Sequence, residues 1–370
     1  MNRPRLTGLA RMFVWWRDRL DWPLLVGLAL IVAAGMVTLH SSGSGAMRLE
    51  LGQGARVGVG LALLLLLTRV SPMHLRLFSP WAYVGSLALL ALVPLFGSGR
   101  SARLWLDLGV FYLQPSELLK ITVPMIVAWY LFDRPLPVRF RDVLVCVVLI
   151  GLPSAMIALQ PDLGTALLVA ASGVFALFLA GLSWWLLGTG AVLAAAAAPL
   201  AWWFWLKEYQ KDRILTFLDP GNDPQGAGWN IIQSSIAVGS GGLTGKGWGA
   251  STQARLEYLP EHTTDFAFAV LAEEFGFIGV SSILLVYLFI VLRTLWIATE
   301  ARDSYGRLVA GALGLAFFVY VFVNGGMITG LLPVVGVPMP LVSYGGTSAV
   351  TLLAAFGIVL GVRAHHRLAR

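Results

Sequence analysis

The sequence predicts an all-α polytopic membrane protein of ten transmembrane helices, with both termini cytoplasmic and one long outward-facing loop between helices 7 and 8. Three observations predict it. The 370 residues are 58% hydrophobic and only 12% charged, where a soluble domain carries roughly 25% charged residues. Apolar runs near the length of about 20 residues that a helix needs to cross hydrocarbon recur along the whole chain. The basic residues fall in alternate gaps between those runs rather than on one soluble face, which excludes a nucleic-acid-binding surface as the source of the +7 formal charge.

Taken in order, the runs place helices at 22–40, 54–70, 80–97, 116–132, 142–159, 165–182, 187–206, 266–291, 308–331 and 346–362. Before the first lie Arg3, Arg5, Arg11, Arg17 and Arg19, with no short apolar region and small-residue cleavage site, so this span is expected to be retained. Arg69 and Arg76 follow the second span, Arg134, Arg139 and Arg141 the fourth, Arg293, Arg302 and Arg307 the eighth, and Arg363, Arg367 and Arg370 the tenth. These are 16 of the 26 Lys and Arg, all on one side, which the positive-inside rule makes cytoplasmic. The short loops opposite hold Arg48, Arg56, Arg100, Arg103 and Lys120. Fourteen Trp and nine Tyr suit interfacial belts, and the single Cys146 lies in an apolar run, so it is read as core and no disulfide framework exists within one chain. The whole of 1–370 reads as one transmembrane domain.

The loop at about 207–264 is far longer than a link between two spans requires, and loops beyond about 12–15 residues are usually functional or disordered. It keeps Trp229, Ile231, Ile232, Ile236, Trp248, Leu256, Tyr258 and Leu259, enough apolar surface to fold back on the membrane face. Its stretch GSGGLTGKGWG, 239–249, resembles a phosphate-cradling loop, yet Gly247 stands where GxxxxGK[ST] requires Ser or Thr, and an outward loop has no nucleotide to bind. Exposed amides with Lys246 suit an anionic head group, and a flexible loop explains the same glycines.

Ionisable residues gather on the outward side. In RLWLDLGVFYLQPSELLK, 103–120, Pro115 and Ser116 start a helix with Ser116 as N-cap, and Glu117 and Lys120 share a face three residues apart. An internal ion pair accounts for them; so does the wall of a polar pocket, since charges inside spans usually face one. Asp162, in the turn LQPDLGT, is read first as a turn residue and second as a pocket rim. In EYLPEHTTDFAFAVLAEE, 257–274, Thr263 or Thr264 can cap the next helix and Asp265 suits its first turn. That explains the type of Asp265 but not its company of Glu257, Glu261 and His262, nor Glu273 and Glu274 further along, which need partners or must stay protonated. The stretch 324–346 carries Pro333, Pro338 and Pro340 among glycines, which predicts an irregular segment covered by protein or water.

In these motifs the chain resembles the SEDS (shape, elongation, division and sporulation) membrane proteins, and their rod-shape branch more than the division branch. RLWLDLG with QPSELLK, QPDLGTALLVAASG, RILTFLDP, GAGWNIIQS, GSGGLTGKGWG, LPEHTTDF, AEE and GLLPVVGVPMPLVSYGG follow in family order over essentially the whole chain. The resemblance implies a peptidoglycan glycosyltransferase that polymerises lipid II, partnered by a class B penicillin-binding protein, its transpeptidase, and by elongation-complex proteins. Where the family commonly reads PExHTDF, this chain has Thr263 in place of the histidine and keeps Asp265.

The chemistry suits the residues. Displacing a polyprenyl pyrophosphate from one sugar by a hydroxyl of another needs a base for that hydroxyl and positive charge for the leaving group. Asp265 is assigned the base. Lys120, Arg213, Lys246 and Arg255 are candidates for the pyrophosphate, with Glu117 positioning Lys120 and Glu261 supporting. A divalent cation, Mg or Mn, on Asp265 would replace part of that charge, and no nucleotide is needed. Two competing readings are a flippase for the lipid-linked precursor, which should hold its charges near the bilayer midplane, and a scaffold, which has no use for converging charges.

Overall fold

The structure, a computed structural model, describes residues 19–43, 45–99, 103–109, 111–135, 137–204, 206–222, 227–256, 258–259 and 261–366. Arg3, Arg5, Arg11, Arg17, Arg100, Glu257, Arg367 and Arg370 lie outside them. Apolar runs become helices close to where the sequence placed them, most of them a few residues longer than expected. Helix α1 (Trp22–Ser42) starts on Asp21, whose carboxylate accepts from the Leu24 N–H at 3.1 Å, with a proline in the first turn. Helices α2 (Met47–Thr68) and α3 (Pro72–Phe96) follow, the latter capped by Ser71. Then come α4 (Pro115–Leu131), α5 (Phe140–Leu159), α6 (Leu163–Leu179), capped by Asp162, and α7 (Trp184–Phe204). After the long connection stand α11 (Ala267–Thr299), α12 (Ser304–Ile328) and α13 (Ser348–His366). Among the described residues, eight of these helices are long and apolar enough to cross a membrane; α4 and α6, at 17 residues each, are shorter.

The centre of the bundle is α12 and α13 with α4, α6 and the first half of α11, whose residues are mostly buried. Helix α2 lies on α13 with almost no space between backbones: a Cβ on Gly357 would stand 2.7 Å from the Leu64 Cα, and one on Gly60 would stand 2.6 Å from the Leu353 side chain. Small residues at such crossings let dispersion act at close range, the usual basis of helix association in lipid. Cys146 is fully buried, as expected of a core residue. Helix α7 is the opposite case, with no buried residue in its apolar window.

Two features depart from an all-helical bundle with a plain loop. Between α3 and α4 lies a small antiparallel sheet, β1 (Gly97–Ser98), β2 (Trp105–Asp107) and β3 (Tyr112–Leu113), in that order, with Gly97 opposite Leu106 and Leu106 opposite Leu113. Strands of two or three residues have too few positions to show an alternating pattern. The connection after α7 is itself folded, as α8 (Glu208–Leu218), a 3-10 turn (Pro220–Asn222), α9 (Ala227–Ser240) and α10 (Thr252–Arg255). It packs on the helices: α9 lies on α11 and α12, burying Ile231, while Leu259 is fully buried. Ile236, Trp248, Leu256 and Tyr258 stay exposed.

Helix α11 is broken at Gly276, whose φ of 62° is left-handed. The glycine-rich stretch fills the break. Lys246 and Gly247 donate their N–H groups to the Glu273 and Glu274 carbonyls, each at 3.0 Å, and Phe277 and Ile278 donate to Gly242 and Leu243 at 2.9 and 3.0 Å. A kink would otherwise leave these four groups unpaired. Only glycine fits, because a Cβ on Gly245 would stand 2.0 Å from the Glu274 carbonyl oxygen and one on Gly241 would stand 2.1 Å from that of Ala272.

The proline-rich stretch is irregular over 329–347, while Asn324 to Ile328 still belong to α12. Its backbone is covered as such a segment requires. The Tyr287 hydroxyl donates to the Pro340 carbonyl at 2.5 Å, Ser343 Oγ accepts from the Met339 N–H at 3.0 Å, and Gly164 of α6 lies against the Val335 carbonyl.

Candidate active site

Asp265 sits in the turn just before α11, one residue ahead of the helix N-cap, Phe266. The expected threonine cap is absent: Phe266 makes no side-chain capping bond, and Thr264 instead donates to the Glu261 carboxylate at 2.7 Å. Glu261 itself has a φ of 57°, a strained conformation for a non-glycine residue of the kind that collects at functional sites. The Asp265 side chain is half-buried. Burial pushes its carboxyl up to about 6, Glu261 and Asp162 push the same way, and Arg213 pulls against them. Glu261 in the same turn, Arg213 on α8 and Asp162 in the α5–α6 turn thus lie within electrostatic reach of Asp265. The turn is fixed from outside by the Tyr344 N–H, which donates to the Thr263 carbonyl at 2.8 Å, and by Asn324 Nδ2, which donates to the Asp265 carbonyl at 2.8 Å.

Lys246 is paired with Glu273 rather than with Asp265. It donates to Glu273 Oε1 at 2.6 Å, and the Glu273 carboxylate, fully buried, also accepts from Ser251 Oγ at 2.5 Å, Thr252 Oγ1 at 2.7 Å and the Thr252 N–H at 3.0 Å. Glu274 accepts from Ser41 and from the Gly249 N–H at 3.1 Å. The two adjacent glutamates therefore have partners, supplied by the glycine-rich stretch, by α10 and by the end of α1 rather than by an open pocket. Arg255 ends α10 exposed, close to Gly249.

Glu117 and Lys120 form the anticipated ion pair at 2.6 Å, Glu117 buried and Lys120 partly so. The helix starts one residue earlier than expected, with Gln114 as N-cap and Pro115 at the first position, so Ser116 is inside the helix. Thr351 Oγ1 donates to Glu117 Oε2 at 3.1 Å, and the Lys120 ammonium stands 4.7 Å from the centre of the Tyr320 ring. These groups line a cavity of about 30 Å³ between α4, α12 and α13, room for about two waters. Asp265, Arg213, Lys246 and Arg255 are not among its lining residues. Asp162 links the two regions: Gln114 Nε2 donates to it at 3.4 Å, and it lies within electrostatic reach of both Tyr320 and Asp265.

Among the described residues no group of three or more His, Cys, Asp or Glu side chains comes together as a metal-binding set. Sequence reading missed Asn324; the available signal was an amide inside an apolar run, FVYVFVNGGM.

The model of the FtsW/RodA/SpoVE family, described as cell cycle protein, matches residues 19–368. The peptidoglycan glycosyltransferase MrdB of Escherichia coli strain K12 is 47% identical over 348 residues, which cover 93% of this chain and 93% of MrdB. The rod shape determining protein RodA of Thermus thermophilus superposes with a TM-score of 0.72 at 31% identity, over 94% of this chain and 98% of that one. A chain solved in a peptidoglycan synthase complex that coordinates polymerization and crosslinking superposes with a TM-score of 0.83 at 36% identity, over 94% of this chain and 99% of that one. With one family model spanning nearly its whole length, and with relatives and folds of the same kind, the chain belongs to the FtsW/RodA/SpoVE family.

Proposed function

We propose that this chain is a peptidoglycan glycosyltransferase that polymerises lipid II at the outer face of the cytoplasmic membrane during cell elongation, with Asp265 as the general base. The observation that carries the assignment is the environment of Asp265. A carboxylate whose pKa is about 6 is roughly nine-tenths ionised at pH 7 and a stronger base than an ordinary aspartate. It takes the proton of the attacking sugar hydroxyl. The leaving pyrophosphate needs cationic charge and no proton, and Arg213, the cation that acts on Asp265, is best placed to meet it. Lys246 is committed to Glu273 and Lys120 to Glu117, so their part is to hold the walls. Arg255, exposed at the end of α10, remains a candidate for a second phosphate contact.

Ten transmembrane helices, counting α4 and α6 with the eight longer ones, put both termini in the cytoplasm and the connection 207–264 outside. The chain then acts as a single transmembrane domain. A divalent cation, Mg or Mn, would be held by Asp265 and would supply further positive charge toward the pyrophosphate; no nucleotide takes part. The class of partner that fits is a class B penicillin-binding protein, which crosslinks the strands this chain makes, within the elongation machinery of the inner membrane.

The test is polymerisation by purified protein given lipid II and no other polymerase. Wild-type protein should yield glycan, and Asp265→Asn should lower the rate by about 100- to 10,000-fold, the usual contribution of a general base. The amide keeps the side-chain volume, so the variant should still fold and bind the transpeptidase. Near wild-type synthesis would remove Asp265 from the role of base.

A further inference from the structure

Asp265 is held in place by little of its own helix, since the N-cap Phe266 has no side-chain cap and Thr264 turns back to Glu261. One buried group does hold it. Asn324, fully enclosed in the last turns of α12, uses both hydrogens of its amide: Nδ2 donates to the Asp265 carbonyl at 2.8 Å and to the Val337 carbonyl at 2.7 Å. Only the NH2 end of an amide can face two carbonyl oxygens, so the orientation of this side chain is fixed by its partners. The other end, Oδ1, is buried with no hydrogen-bond partner among the described residues. An unpaired buried acceptor is unfavourable, so it is the donors of this residue that the fold uses.

What Asn324 joins is the reactive turn and its wall. Gly336, with a φ of 73°, precedes Val337, and a Cβ built on it would stand 3.5 Å from Asp265 Oδ2. The backbone that faces the carboxylate and the backbone that carries it are thus tied to one amide on a third element. We infer that Asn324 is a positioning residue for glycosyl transfer, fixing the Asp265 carboxylate against the Gly336–Val337 wall at the place where the acceptor hydroxyl must arrive. The inference rests on the assignment of Asp265 as base. It predicts a loss in turnover rather than in binding, because a displacement of about 1 Å at a reacting group costs on the order of 100-fold in rate.

The experiment compares wild type, Asn324→Leu, Asp265→Asn and the double variant in lipid II polymerisation, with kcat and KM measured separately. Asn324→Leu, which keeps the branching at Cγ and removes both donors, should lower kcat about 10- to 100-fold and leave KM for lipid II within about threefold. In the Asp265→Asn background the same change should cost nothing further, because a residue that acts only through Asp265 has no effect once that base is gone. A merely structural role would multiply the two losses. If Asn324→Leu cannot be purified folded, Gly336→Ala tests the same joint, since a side chain at a φ of 73° strains the backbone that faces the carboxylate; it should show the same fall in kcat. A folded Asn324→Leu with wild-type kcat, a loss carried by KM, multiplicative losses, or a Gly336→Ala with unchanged turnover overturns the inference. If Asp265→Asn is itself active, the base assignment fails instead.

Discussion

At the level of single residues, the charge around Asp265 makes pH the most direct probe. A general base works in its deprotonated form, so a carboxyl at about 6 gives a rate that rises with pH through about 6 and levels off above it. Each neighbour then moves that limb in a stated direction. Glu261→Gln removes a negative charge that pushes the carboxyl up, so the acid limb of kcat should move to lower pH. Arg213→Gln removes the positive charge that pulls it down, so the limb should move to higher pH, with a fall in rate at every pH from the weaker hold on pyrophosphate. Both are read from pH–rate profiles of lipid II polymerisation; limbs that move the opposite way, or not at all, would show that these charges do not act on the base. Lys246→Met belongs to a different class. It strips one partner from a buried Glu273 that keeps its bonds to Ser251 and Thr252, so the expected effect is about 2 kcal/mol of thermal stability with the acid limb unmoved.

Among the elements, the joint between the glycine-rich stretch and the kink in α11 is where sequence is least free. Gly245, at a φ of 81°, would place a Cβ 2.0 Å from the Glu274 carbonyl oxygen, and Gly276 would place one 2.3 Å from the Gly245 nitrogen. Gly245→Ala should therefore unseat the stretch, release Lys246 from Glu273 and destabilise the protein by about 3 kcal/mol or more. Gly239, in the same motif, has no neighbour within 4 Å and no left-handed φ, so Gly239→Ala should change stability by less than about 1 kcal/mol. Melting temperatures of the two variants in detergent decide it: equal losses would mean that the glycines serve flexibility rather than fit.

Across the whole molecule, α1 and α11 run antiparallel and are tied at both ends. Ser41 bonds Glu274 near the active-site end, and Asp21 accepts from Arg293 at 2.9 and 2.8 Å at the other, where Arg363 joins Asp21 and Glu300. Helices tied together by ion pairs at the end away from Asp265 suit a polymerase whose lipid substrates enter from the outer leaflet and whose outward segments move, rather than a transporter that must open there. Paired-cysteine crosslinks that lock the ends of α1, α11 and α13 on the Asp21 side should leave polymerisation within about threefold of the unlocked protein. Arrest by that lock, with the outward segments free, would require an inward-open state and favour transport of the lipid-linked precursor.

What the sequence determined by itself was everything set by spacing along the chain. Runs of spanning length gave the helices, the three prolines gave an irregular stretch, expected at 324–346 and found at 329–347, and the separation of three residues gave the Glu117–Lys120 pair. Asp265 stood out as an acidic residue at a span's edge, within a motif of the resembled family. What only the tertiary structure decided were partners far apart in sequence. Lys246 belongs to Glu273, Ser41 to Glu274, Asn324 to Asp265, and the glycines of 241–247 to a break in a helix at Gly276. Helix and turn signals act over one or two turns, so they are written locally. These pairings exist because Gly276 breaks α11 and because α1, α11 and α12 pack against one another, and that geometry is a property of the assembled bundle.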